Sequence, residues 1–123
     1  SDEAEGSLPW LSALEDPQLA GVIDEMLEHP EQHHTVESFA GIAHMSRSAF
    51  ARRFAECFNR PPMDYLRDVR LRRAAQLLRC GDLSIDEVAS EVGFSSRSHF
   101  SHTFRDHFGA SPLAFREGPA PSS

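Results

Sequence analysis

The chain has 123 residues, 40% hydrophobic and 25% charged, ordinary values for one compact globular domain with ragged ends. No stretch approaches the ~18 apolar residues that span a bilayer, and no signal peptide is visible. The two cysteines, Cys57 and Cys80, show no CxxC spacing. They read as free thiols of a reducing cytosol, with Cys57 packed, which sets aside a disulfide scaffold.

Residues 1–15 read as a linker of Ser, Gly, Pro and acids around Leu8-Pro9-Trp10-Leu11. Asp16-Pro17 opens a first helix, with Asp as N-cap and Pro at the first helical position. Leu19, Val22, Ile23, Met26 and Leu27 form its apolar stripe, and Pro30 ends it. A short second helix follows Thr35 and carries Val36, Phe39, Ala40 and Ala43. After a turn at Met45-Ser46, a third helix places Phe50, Phe54 and Phe58 at steps of four. A long fourth helix starts near Pro62 and runs to Cys80, where Gly81-Asp82 stops it. Ser84 and Glu87 have the spacing of a capping box for a fifth helix with Ile85, Val88, Ala89 and Val92. Gly93 suits a turn at positive φ. A sixth helix spans about Ser96 to Phe108, and Ser111-Pro112 opens a last short helix with Leu113 and Phe115. From Gly118 the composition is that of a disordered tail. No run has strand periodicity, so the expected class is all-α with seven helices.

The chain repeats itself. Phe50, Phe54, Phe58, Pro62 and Tyr65 recur fifty positions later as Phe100, Phe104, Phe108, Pro112 and Phe115, and Phe39-Ala40 recurs as Val88-Ala89. Each copy is a capped short helix with a small Ala, a tight turn, and a longer helix with aromatics on one face. That is the pattern of a helix-turn-helix, whose steep crossing needs a small residue at the contact. The expected domains are a first helix-turn-helix subdomain (16–61), a linker helix (62–80) and a second subdomain (81–117), between residues 1–15 and a tail at 118–123.

Charge follows the same division. Residues 1–45 hold ten acids and no Arg or Lys, whereas residues 46–79 hold nine Arg against three acids, a local net of +6. A phosphate-binding face responds to local charge, so the net of −7 does not exclude nucleic acid. All twelve basic residues are Arg, which suits bidentate contact with phosphate and guanine but is also what a GC-rich coding sequence produces. The outward positions of the third helix are Ser46, Arg47, Ser48, Ala51 and Arg52. Those of the sixth are Ser95, Ser96, Arg97, Ser98, His99, His102 and Arg105. No acid occurs from Met45 to Ala55 or from Val92 to Arg105, as expected of helices that must approach phosphates. A nineteen-residue linker helix is ~28 Å long, against ~34 Å between major-groove segments on one face of DNA.

These residues resemble the C-terminal domain of AraC/XylS-type transcription regulators. The likeness runs over about residues 16–117. It is densest in Ala89, Gly93-Phe94, Phe100, Phe104, Phe108-Gly109, Ser111-Pro112 and Phe115-Arg116, and continues through Met45-Ser46, Phe50, Arg52, Phe54, Tyr65-Leu66, Arg70-Leu71 and Ala74. The resemblance implies base reading by the third and sixth helices in successive major grooves. Ser48, Ala51 and Arg52 would face one groove, and Arg97, Ser98, His99 and His102 the other, with Arg47, Ser96 and Arg105 beside them. It implies double-stranded promoter DNA and RNA polymerase as partners, and an N-terminal sensor domain in the full protein. No cofactor is implied, and any effector site would lie outside this chain. Trp10-Leu11 and Asp16-Pro17 resemble a junction after a cupin-like sensor. The chain begins at Ser1 and reads as an excised part. His44 departs from the pattern, standing where the first turn commonly has Gly, which implies a left-handed His or a strained turn.

Other readings of single features are weaker. His99 and His102 at i, i+3 have no further ligands spaced to complete a metal site. Ser111 is a helix cap, and no nucleophile, base and acid are ordered for catalysis, so no enzyme is expected. The phenylalanine triplets are core rather than a stacking platform. Arg70, Arg72 and Arg73 read as structural or solvated, with Arg70 a candidate for pairing with a buried acid. The alternative function is a degenerate helix-turn-helix pair serving as a protein-interaction module.

Overall fold

The computed structural model describes residues 16–117, and the expectations for residues 1–15 and 118–123 lie outside that range. Among the described residues there are seven helices and no strand: α1 (Pro17–Glu28), α2 (Val36–Ala43), α3 (Arg47–Phe58), α4 (Pro62–Cys80), α5 (Ile85–Glu91), α6 (Arg97–Phe108) and α7 (Pro112–Glu117). The chain forms two compact units. Among the described residues, one takes 16–29 together with His33–Arg67, and the other takes Pro30–Gln32 and 68–117.

The helix boundaries follow from local chemistry. The Asp16 carboxylate accepts the Gln18 N–H at 3.1 Å, satisfying one of the orphan donors of the first turn. Thr35 and Ser38 form a capping box on α2, and Ser84 and Glu87 form another on α5. Ser46 and Ser96 cap α3 and α6 by accepting the N–H groups of Ala49 and His99. Residues at positive φ directly follow four of the helices: His44 (φ 58°), Asn59 (φ 65°), Gly81 (φ 79°) and Gly109 (φ 80°). His44 therefore adopts the left-handed backbone that its place in the turn requires, and Gly93, at φ 98°, fills the same place in the second copy.

The first unit closes around Leu19, Val22, Met26, Phe39, Phe50 and Phe54, all fully buried, with Ala40 and Ala43 between α2 and its neighbours. Removing each large apolar side chain from water contributes about 1.5–3 kcal/mol. Phe54 anchors α3, with Phe58 at 4.5 Å and Tyr65 edge-on at 5.5 Å. The second unit repeats this arrangement around Leu71, Leu78, Val88, Val92, Phe100 and Phe104. Here Phe104 meets Phe108 at 4.5 Å and Phe115 edge-on at 5.2 Å. The fifty-residue repeat is thus a repeat of packing. The phenylalanines at steps of four are core, with Phe58 and Phe108 at its margin.

One polar interaction differs from expectation, and a second polar side chain is buried where no periodic signal marks it. Arg70 pairs with no buried acid among the described residues: its Nε donates to the Pro30 carbonyl at 2.7 Å and Nη2 to the Gln32 carbonyl at 2.9 Å. Burial lowers the Arg70 pKa, with Glu31 acting in the opposite direction. His34 lies in a loop of polar composition, yet it is buried, stacked on Phe39 at 4.8 Å with Nε2 2.8 Å from the His29 carbonyl oxygen. Its ring fills a flank of the core while its nitrogen remains hydrogen-bonded.

Candidate nucleic-acid interface

In each unit the buried phenylalanines fix which side of the longer helix faces outward. Phe50 and Phe54 hold one face of α3 inside, leaving Arg47, Ser48 and Arg52 exposed and Ala51 half-buried. Phe100 and Phe104 do the same for α6, leaving Ser96, Arg97, Ser98, His99, His102 and Arg105 exposed. Every polar candidate therefore lies on a solvent-facing surface. Arg53, one residue beyond Arg52, turns away and pairs with Asp16 at 2.5 Å.

The candidates differ in what already holds them. The Arg52 and Arg105 side chains carry no ion pair or hydrogen bond among the described residues. Arg47 pairs with Glu37 at 3.0 Å, and Arg97 lies 3.8 Å from Asp86. The Ser96 hydroxyl oxygen accepts the His99 N–H at 3.1 Å as the helix cap, while its O–H can still donate. The His99 ring meets Phe94 edge-on at 5.4 Å, which restrains its orientation. His102 Nε2 lies 3.3 Å from the Asp106 carboxylate. An acid thus stands at the far end of the α6 polar face, one residue past the acid-free run.

Sequence reasoning missed the acidic partners of Arg47 and Arg97. The signal was present, because Glu37 and Asp86 are 49 apart and each is the second residue of its short helix. It also missed Gln18, whose side-chain amide donates to the Ala43 carbonyl at 2.6 Å and so ties α1 to the end of α2 just before the turn. Among the described residues no three His, Cys, Asp or Glu side chains are grouped to hold a metal ion, and no helix is long and apolar enough to cross a membrane.

A short capped helix, a left-handed turn residue and a longer helix with an exposed Arg-, Ser- and His-bearing face, occurring twice in one chain, define a helix-turn-helix DNA-binding protein. A family model described as a helix-turn-helix domain matches residues 39–118. The transcriptional regulator AlkR of Acinetobacter baylyi is 41% identical over 108 residues, covering 88% of this chain and 35% of that protein. The activator RclR of Escherichia coli is 42% identical over 107 residues, covering 87% and 38%. The chain thus spans little more than a third of these relatives' length. Among solved structures, the DNA-binding domain of AdpA in complex with a target DNA superposes with a TM-score of 0.79 at 39% identity, covering 83% of this chain and 91% of that one. An AraC-type regulator from Chromobacterium violaceum gives 0.80 at 32%, covering 90% and 99%. The chain belongs to the AraC-type helix-turn-helix family, as the DNA-binding domain of a transcription regulator.

Proposed function

We propose that α3 and α6 are the two reading helices and that each enters a major groove of double-stranded promoter DNA. The observation that carries this reading is the duplicated exposed face, acid-free over Arg47–Ala55 and Arg97–Arg105 and fixed from behind by buried phenylalanines. On α3, Ser48 and Ala51 offer small surfaces that let the backbone come close to base edges. Arg52, unpaired among the described residues, would make a bidentate contact with guanine or phosphate. On α6, Arg97, Ser98, His99 and His102 face the second groove, Arg97 at the start of the helix able to meet a phosphate as well as a base, with Arg105 and the Ser96 hydroxyl beside them to take phosphates. Arg47 has the same flanking role on α3.

In the longer protein this domain would supply operator recognition, joined to an N-terminal sensor domain and working with RNA polymerase in the cytoplasm, where bacterial DNA lies. The relatives that support this are transcriptional regulators between two and three times as long as the chain. The rival reading, a protein-interaction module that has lost DNA, predicts no duplex retention even at low salt. Selecting duplexes from a random pool and titrating the selected site with salt distinguishes the two. About six phosphate contacts give a log–log slope near −5, and a flat response or an empty selection would contradict the proposal.

A further inference from the structure

The ion pairs Arg47–Glu37 and Arg97–Asp86 occupy corresponding places in the two units. Each arginine is the first residue of its longer helix, and each carboxylate is the second residue of the preceding short helix. Neither acid is needed to cap its helix, because Thr35 with Ser38 and Ser84 with Glu87 already do so. Nor do the pairs hold the fold together. The side chains are exposed, 67% and 63% in the first pair and 55% and 68% in the second, and pairs so exposed add little to stability. A cation at the first position of a helix is itself disfavoured by the helix dipole, so both units keep an arginine where the fold does not ask for one. Among the described residues, Arg52 and Arg105 carry no such counter-charge.

We propose that Glu37 and Asp86 restrain sequence-independent phosphate binding by Arg47 and Arg97, and so act as specificity-determining residues. This rests on α3 and α6 being the reading helices. Binding to arbitrary DNA comes almost entirely from the release of counterions when cations replace them on phosphates. An arginine already neutralised by its own carboxylate must exchange that partner for a phosphate, or leave an acid standing beside it. Either way it contributes less than a free arginine to binding at an arbitrary sequence. Because the genome offers a very large excess of such sequences, suppressing that contribution favours the operator.

The test uses the 123-residue chain and a random-sequence duplex of about 30 base pairs, with binding followed by anisotropy between about 50 and 200 mM salt. Glu37→Gln and Asp86→Asn should each tighten binding at the low-salt end by roughly two- to five-fold, as expected for release of one exposed pair. Each should also steepen the log–log slope by about 0.9, the value for one more phosphate contact. In an Arg47→Gln background, Glu37→Gln should have no effect. Asp24→Asn, which removes an equal charge from an exposed position on α1, should not reproduce the gain. Weaker binding on loss of either acid would overturn the proposal. So would an equal gain without Arg47, or an equal gain from Asp24→Asn. If the unsubstituted chain binds with a steep salt slope and the substitutions change nothing, the counter-charge role alone fails. If it binds no duplex at all, the assigned function fails and this inference with it.

Discussion

Gly93→Ala should be far more damaging than Gly109→Ala, although both residues sit at positive φ. At Gly109, φ is 80° and nothing lies within 4 Å of the position a Cβ would take. Alanine there meets only the left-handed backbone cost of ~1–2 kcal/mol, partly offset by ~0.4–1 kcal/mol from a less flexible unfolded chain. A net loss of about 1 kcal/mol is expected. At Gly93, φ is 98° and the added Cβ would lie 3.0 Å from the Pro30 carbonyl oxygen, 3.0 Å from Arg70 Nε and 3.1 Å from Glu31 Cα. Two of these neighbours are backbone atoms that cannot rotate aside. The third is the atom that donates to Pro30 at 2.7 Å. Relieving the clash therefore pushes residues 30–32 outward and weakens the two Arg70 hydrogen bonds, each worth about 1.5–3 kcal/mol as a charged-donor bond. The expected total is about 3–4 kcal/mol, a fall in urea midpoint of roughly 1.5–2 M at a slope of about 2 kcal/mol/M. His44→Gly, at the matching turn of the first unit, should move the other way by about 0.5–1 kcal/mol, since it removes a left-handed non-glycine residue. Urea unfolding followed by hydrogen exchange in the separate helices reads all three. A Gly93→Ala loss no larger than that of Gly109→Ala would refute the close packing of this turn on residues 30–32.

Phe104→Ala should lower stability by about 3–5 kcal/mol through the cavity left beneath α6, and an unchanged melting curve would show that the ring is not core. Burial raises the Cys57 pKa above the ordinary thiol value, with Asp16 adding, Arg53 opposing and Glu56 adding. A raised folded-state pKa means that the neutral thiol stabilises the fold below the ordinary thiol range near ~8.5. That contribution is lost as pH rises through the folded value. Urea midpoints should therefore fall less between about pH 8 and 10 in Cys57→Ala than in the unsubstituted chain.

The parts of the fold that were legible in the sequence are those set by neighbours along the chain. Asp16, Thr35, Ser84 with Glu87, and Ser111 mark helix starts because a cap lies within three residues of the N–H it satisfies. The phenylalanines at steps of four mark the inner faces of α3 and α6 because helical periodicity alone aligns them. Interactions that join distant segments were not legible. Arg70 meets the Pro30 and Gln32 carbonyls across 40 and 38 residues, and main-chain acceptors leave no trace in residue identity. His34 carries no periodic signal, since its burial depends on Phe39 presenting a flat surface beside it. For the candidate site, exposure of the polar residues followed from the core pattern. Their internal partners were missed, although the matching places of Glu37 and Asp86 in the two copies carried the signal, and these partners divide the arginines into Arg52 and Arg105, unpaired among the described residues, and the paired Arg47 and Arg97.

The assignment of α3 as a reading helix is tested most directly by repeating the duplex selection with Arg52→Ala. The substitution should leave the melting temperature unchanged, weaken binding to the selected site by about 1–3 kcal/mol, and relax base preference at one or two adjacent positions only. A selected sequence identical at every position, bound with undiminished preference, would contradict the account.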